Sequence, residues 1–142
     1  MAVRNSLEAQ LRLHEGYSPK LYKCSQGFRS IGIGRNLDAN GLRPDEIALM
    51  LANDIAEAKA ELDKLAPWWR QLDDVRQKIL VDMMFNLGPK TLAGFRNTLR
   101  DIEAGKYPGA AKRMLASRWA KQVGSRAHRL AAMMLTGEDY RS

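Results

Sequence analysis

Hydrophobic and polar positions along this chain predict a short helix, a β segment and then helices almost to the end. Ser6 can cap a first amphipathic stretch, with Leu7 and Leu11 on one face and His14 and Glu15 in its last turn. Gly16 is placed to end it, because glycine takes the left-handed geometry after a helix at little cost. Over residues 21–33 the pattern turns β: LYKC, a turn at Ser25, Gln26 and Gly27, then FRSIGIG. Gly32 and Gly34 mark close backbone approach rather than ordinary strand. Pro44 suits a first helical position, and Asp45 and Glu46 suit the positive end of a helix dipole. The long helix they open carries an apolar stripe of Ile47, Leu51, Ile55, Ala58 and Leu62, and Pro67 stops it. Asp73 or Asp74 opens the next, with Val75, Ile79, Met83 and Leu87 at helical spacing and Gly88-Pro89 closing it. Further helices are predicted near 91–104, 107–116 and 125–135. The pattern holds no internal repeat, low-complexity tract or linker. It implies one α+β domain, residues 1–142: a small β-hairpin lobe of about 16–42 is joined by the long helix to a mainly helical lobe of about 67–142, which the N-terminal helix joins.

Composition narrows the picture. With 142 residues, 45% of them hydrophobic, the chain can bury a real core without a disulfide or a structural metal. The single cysteine, Cys24, excludes an intramolecular disulfide and every all-cysteine metal site. No apolar run approaches the roughly 18 residues of a membrane span, and MAVRNSLEAQ lacks the apolar stretch of a secretion signal. The expected product is therefore cytoplasmic, with release by another protein before it meets any extracytoplasmic substrate. The net charge of +7 is uneven: residues 106–142 hold eight Lys/Arg against Glu138 and Asp139, giving +6, and the rest balance to +1. A basic region attracts polyanions in general, whether nucleic acid, anionic lipid or peptidoglycan with its peptide-stem carboxylates.

The chemistry concentrates in one segment. Eight residues separate Glu15 from Cys24, and five separate Cys24 from Ser30. An acid at a helix end, followed by a hairpin presenting a thiol and a hydroxyl, is a layout for protonating a leaving group and delivering water. The negative end of the helix dipole disfavours the Glu15 anion and so favours the protonated form that a general acid needs. Cys24 reads either as a base or nucleophile, which requires activation because a free thiol is mostly protonated at neutral pH, or as a half-buried small hydrophobe. Ser30 either orients water or simply completes the hairpin. Neither His14 nor His128 has partners at metal-ligand spacing, and GIGRN lacks the Lys and spacing of a phosphate-binding loop, so no metal and no cofactor is expected.

Four segments, LRLHEGYSPKLYKCSQGFRSIGIG, DMMFNLG, TLAGFRNTLR and SRWAKQVGSRAHRL with LTG after it, resemble the phage-type lysozymes, the muramidase and endolysin family of the bacteriophage T4 enzyme. They occur in that family's order and cover almost the whole chain. The Glu-x8-Asp/Cys-x5-Thr spacing together with GIG is its most specific mark. Cys24 stands where many members carry Asp, Ser30 where most carry Thr, and the connection after GIG is shorter, which implies a reduced β lobe.

The resemblance implies a lysozyme-like fold with a cleft between the lobes. It implies hydrolysis of the β-1,4 bond between N-acetylmuramic acid and N-acetylglucosamine, ending in host cell lysis. Glycosidic cleavage needs an acid for the departing oxygen and a second group across the ring. The resemblance assigns Glu15 and Cys24 to these roles, with Ser30 orienting water or the thiol. It places Arg126 beside Glu15, where a cation favours the carboxylate and opposes the helix dipole, and it places Phe85, Asn86, Thr98 and Arg113 against the sugars or peptide stem, with Asn36 joining from the β side. Trp119 reads as core, and Trp68 and Trp69 as either sugar platforms or the edge of a core.

The expected partner is bacterial peptidoglycan, met as a monomer after a holin or another release system opens a route from the host cytoplasm to the cell wall. The basic surface also suits weak contact with anionic membrane. Competing readings are a lytic transglycosylase on the same bond, a peptidoglycan-binding pseudoenzyme, and a basic DNA-binding protein. The last leaves the GIG hairpin unexplained and has no helix-turn-helix signature, so no nucleic-acid partner is expected.

Overall fold

The backbone conformations follow from where the chain places capping side chains and glycines. The computed structural model describes residues 6–140, so the first five residues of the segment read for a secretion signal, and Arg141 of the basic count, lie outside the described residues. The chain forms two compact units, one up to Met50 and one from Leu51.

In the first unit, helix α1 (Leu7–Glu15) begins where the Ser6 hydroxyl accepts the Ala9 N–H at 3.1 Å. It ends at Gly16, whose φ of +81° lets its N–H return to the Arg12 carbonyl. Three antiparallel strands follow in the order β1 (Ser18–Lys23), β2 (Arg29–Gly32), β3 (Arg35–Asn36). Strand β1 starts earlier than the hydrophobic pattern suggests. Its Pro19 is tolerated on an edge strand, and the register slips between Ser18↔Gly32 and Tyr22↔Ser30. Cys24 lies one residue past β1 and closes the hairpin, its N–H bonded to the Phe28 carbonyl and its carbonyl to the Gly27 N–H.

Strand β3 and the single-turn helix α2 (Leu37–Asn40) are additions to the predicted elements. Arg29 holds α2 to β2 by donating to Asp38 from its backbone N–H at 2.7 Å and from its guanidinium. Arg35 in β3 forks onto Glu46 in the first turn of helix α3 (Pro44–Leu65) at 2.8 and 2.6 Å. Glu46 also accepts the Arg43 N–H, the reach-back that closes a helix start. The Arg35 fork, then the Arg43 N–H, hold the Glu46 carboxyl down at about 2.

The second unit is helical around one core. Helix α3 gives it Ala58 and Leu62, both buried, whereas Ile47 and Leu51 at the other end of the predicted stripe are about half exposed. After the 3-10 turn Trp69–Gln71 come α4 (Asp74–Leu87), α5 (Pro89–Ala93), α6 (Arg96–Glu103), α7 (Tyr107–Ala116), α8 (Arg118–Val123) and α9 (Ser125–Thr136). Helix α7 packs on α6 and α9, and α9 reaches α4 and α8. The predicted helix at 91–104 is two helices. The backbone tightens to three-residue hydrogen bonds at Gly94 and Phe95, which breaks the run between buried Leu92 and the Phe95 ring set edge-on to Trp119. Trp69 belongs to the core, its indole N–H donating to Asp63 at 2.7 Å, and half-buried Trp68 packs against that core. Arg76, nearly enclosed, donates to the Met134 and Leu135 carbonyls at the end of α9 and lies 3.5 Å from the Tyr107 ring centroid. A cation is favoured at that helix end. No described helix is long and apolar enough to cross a membrane.

The Arg35–Glu46 fork gives the first unit a pH signature. Because the folded carboxyl titrates below its ordinary 4.5, its stabilising contribution is complete above that value and is lost as pH falls toward about 2. Glu46→Gln should therefore lower stability at neutral pH, and its deficit relative to wild type should shrink between those two values. Urea unfolding across that range checks this; a deficit independent of pH would remove the fork from the unit's stability.

Candidate active site

Glu15 is the last residue of α1, and its exposed carboxylate is seated against the turn that follows β2. A methyl group built on Gly34 would lie 2.6 Å from Glu15 Oε2 and 3.1 Å from both its Cβ and its carboxyl carbon. The side chain therefore lies against the Gly34 backbone, and a Cβ there would push its carboxyl out of this position. Gly34 also holds φ at +73°. Gly32 holds +70° but has open space where a Cβ would go. The two glycines expected to mark close approach thus differ: Gly32 supplies conformation alone, Gly34 conformation and proximity.

Ser30 sits in the middle strand, paired with Tyr22 on one side and Asn36 on the other. At 4% exposure it is the only buried residue among the described residues of the first unit. A central position in a three-stranded sheet buries it, and a small hydroxyl fits there where threonine would add a methyl. Cys24 is a half-buried free thiol beside the hairpin turn, and Lys23 before it is exposed, as strand alternation requires. Asn36 is adjacent to Ser30 in the sheet, but its side-chain oxygen is committed to capping α2 through the Ala39 N–H at 3.1 Å.

In the helical unit, the Arg126 guanidinium engages the Asp82 carboxylate, with Nε and Nη2 at 2.9 and 2.7 Å from Oδ1. Asp82, the first residue of DMMFNLG, went unnoticed in the sequence; its place one helical turn before Phe85 was the available signal. Both side chains line a cavity of about 540 Å³ whose apolar walls include Ile55, Trp69, Val81 and Phe85. Phe85 is 46% exposed, so it is a wall residue rather than core. Asn86, exposed beside it, accepts the Trp119 indole N–H at 2.8 Å, its amide N–H groups having no acceptor among the described residues, and Trp119 itself is core. Thr98 and Arg113 meet in a different groove, at the start of α6 and the end of α7. Arg113 donates to Asp101 at 2.8 Å. Among the described residues no cluster of His, Cys, Asp or Glu has the arrangement of a metal site.

Residues 12–133 match the phage lysozyme family, and the chain belongs to it. Membership makes it a lysozyme-type enzyme acting on peptidoglycan, with the expected α+β lysozyme-like fold. It is 25% identical over 162 aligned residues to each of two Dictyostelium discoideum proteins, probable T4-type lysozymes 1 and 2, with 94% of this chain and 95% of each relative covered. It is 26% identical over 160 to the pre-baseplate central spike protein Gp5 of Enterobacteria phage T4, covering 93% of this chain but 28% of that protein.

The seat of Glu15 separates two substitutions that look alike. Gly34→Ala and Gly32→Ala impose the same backbone strain, about 1–2 kcal/mol each, yet only the first adds a methyl where the carboxylate rests. Release of reducing ends from peptidoglycan, per folded molecule, should fall by about tenfold or more in Gly34→Ala and much less in Gly32→Ala. Equal losses would mean that conformation, not proximity, is what Gly34 contributes.

Proposed function

We propose that this enzyme is a muramidase-type endolysin that hydrolyses the β-1,4 bond between N-acetylmuramic acid and N-acetylglucosamine. The packing of Glu15 on Gly34 carries the reading, because it sets the helix-end carboxyl against the turn that follows the strand bearing Ser30, in the hairpin that Cys24 closes. Glu15 donates its proton to the departing glycosidic oxygen as the bond to the anomeric carbon breaks. Water adds to that carbon, and Cys24, acting as its thiolate, accepts the proton the water gives up; return of that proton through solvent to the Glu15 carboxylate resets both groups. Ser30 orients the water. Arg126 supplies positive potential, held in position by Asp82, while Phe85, Asn86, Thr98, Arg113 and Asn36 contact the glycan or its peptide stem. The protein works as a monomer, made in the host cytoplasm and released by a holin or similar system to lyse the wall. One competitor draws support from a specific residue: the thiol at Cys24, in place of a carboxylate, favours a lytic transglycosylase, which needs one Glu and no water.

Glu15→Gln keeps the shape of the side chain but has no proton to release. It should cut turnover by about 100-fold or more while wall binding and the melting temperature stay near wild type. A folded variant keeping more than roughly a tenth of the activity would exclude Glu15 as the general acid.

Cys24 is tested by two substitutions read against each other. Cys24→Asp should remain active, since a carboxylate can take the water's proton, and Cys24→Ala should lose most activity, since a methyl cannot. Mass spectrometry of the sugar ends identifies the reaction: reducing N-acetylmuramic acid ends mean hydrolysis, and anhydro ends mean transglycosylation. A fully active Cys24→Ala enzyme that releases anhydro ends would replace the muramidase reading.

A further inference from the structure

Tyr17, two residues past Glu15, has no part in the chemistry assigned so far. It is 63% exposed, and its ring carries the Arg12 guanidinium 4.7 Å from the ring centroid. Helix termination brings the two side chains together. Gly16 returns its N–H to the Arg12 carbonyl, and the residue after such a glycine commonly packs on the residue whose carbonyl is capped. Tyr17 and Arg12 are that pair.

The contact takes Arg12 away from an acid. Arg12 and Glu15 lie three residues apart on α1, where side chains are neighbours on one face and opposite charges attract. Yet Arg12 makes no ion pair with any described residue, and the Glu15 carboxyl lies against Gly34. An exposed cation–π contact outweighs an exposed ion pair one helical turn away, so the ring holds the guanidinium. In the turn that receives Glu15, Arg35 is committed to Glu46. On α1 itself, His14 precedes Glu15 and Glu8 lies one turn before Arg12, neither of them ion-paired among the described residues. The helix dipole disfavours an anion at position 15, and a cation paired with it would restore that anion.

We propose that Tyr17 is a positioning residue: its ring holds Arg12 away from Glu15 and so keeps the acid able to carry the proton it donates. This rests on the reading of Glu15 as the general acid, and it adds the residue that controls the charge beside it. Arg126, fixed by Asp82, is the cation assigned to the site. Arg12 would be a second, on the acid's own helix. Without the ring, its guanidinium can turn to Glu15 or to Glu8. That competition keeps the effect small without removing it, because Glu15 sits at the helix end where a cation is favoured.

The test is an NMR titration of the Glu15 side-chain carboxyl carbon in the full chain, set beside the pH profile of reducing-end release from peptidoglycan. In Tyr17→Ala, the Glu15 midpoint and the alkaline limb of the profile should both move to lower pH by about 0.3 unit, which is about a twofold loss of rate on that limb. Tyr17→Phe keeps the ring and should give the wild-type values. Arg12→Gln added to Tyr17→Ala should return both readings, because no guanidinium remains. A midpoint that does not move in Tyr17→Ala would overturn the proposal. So would a shift that persists after Arg12→Gln, which would make Tyr17 a direct substrate contact or a prop for the fold. A midpoint that moves and is rescued while the pH profile stays fixed would instead overturn Glu15 as the general acid, and leave the placement of Arg12 standing.

Discussion

The seat of Glu15 in the first unit depends on the absence of one side chain, at residue 34. Helix-end glutamates are ordinarily free to sweep through solvent, and an acid that sweeps is a poor proton donor because its geometry must be regained at every turnover. Here the backbone at Gly34 comes so close to Glu15 that the carboxyl rests on it. Gly16 ends α1 immediately after that residue, and Gly32 turns the chain so that β3 can return beside β2. Three glycines thus set where the Glu15 side chain lies. They restrict where it can be by shape.

The helical unit solves a different problem, holding polar groups in fixed positions on a surface. Its means is an enclosed scaffold. Ile79, Leu80 and Met83 of α4, Met114 of α7 and Met134 of α9 are almost entirely buried, and Arg76 ties the carbonyl end of α9 to α4 while stacking on Tyr107 of α7. Arg126 projects from α9 and Asp82 from α4, so the rigidity of that helix pair is what gives their ion pair a constant place. Asn86 is held in the same manner, by the indole of a core tryptophan.

Much of this was legible in the chain because local signals and tertiary demands agree. Ser6 and Gly16 bound α1, Pro44 opens α3, and Gly88-Pro89 separates α4 from α5, each by chemistry confined to a few residues. The hairpin at Cys24 and the family segments were equally plain. Other parts depend on contacts distant in sequence. Two-residue β3 and four-residue α2 are too short for any periodicity to show and are fixed by Arg29–Asp38 and Arg35–Glu46. The break between α5 and α6 reflects the competing burial of Leu92 and Phe95, not a breaker alone. Helix α8 is short and half polar, and Trp119 and Ala120 are its commitment to the core. Of the site, residue types and spacing named Glu15, Cys24 and Ser30, but the Asp82 partner of Arg126 required the fold.

The sulfur content of the helical core carries a separate consequence. Met83, Met84, Met114, Met133 and Met134, five of the chain's seven methionines, are at most 5% exposed, whereas Met50 is half exposed. Thioethers fill irregular gaps well, which suits a core assembled from several short helices. They are also the groups that peroxide converts to polar sulfoxides, and a sulfoxide has no hydrogen-bonding partner in such an interior. The closed fold shields them, so oxidative damage to this enzyme is gated by its own opening: each excursion that admits an oxidant leaves a polar scar that makes closure harder. An oxidising environment would therefore set a lifetime for the protein through the frequency of its fluctuations.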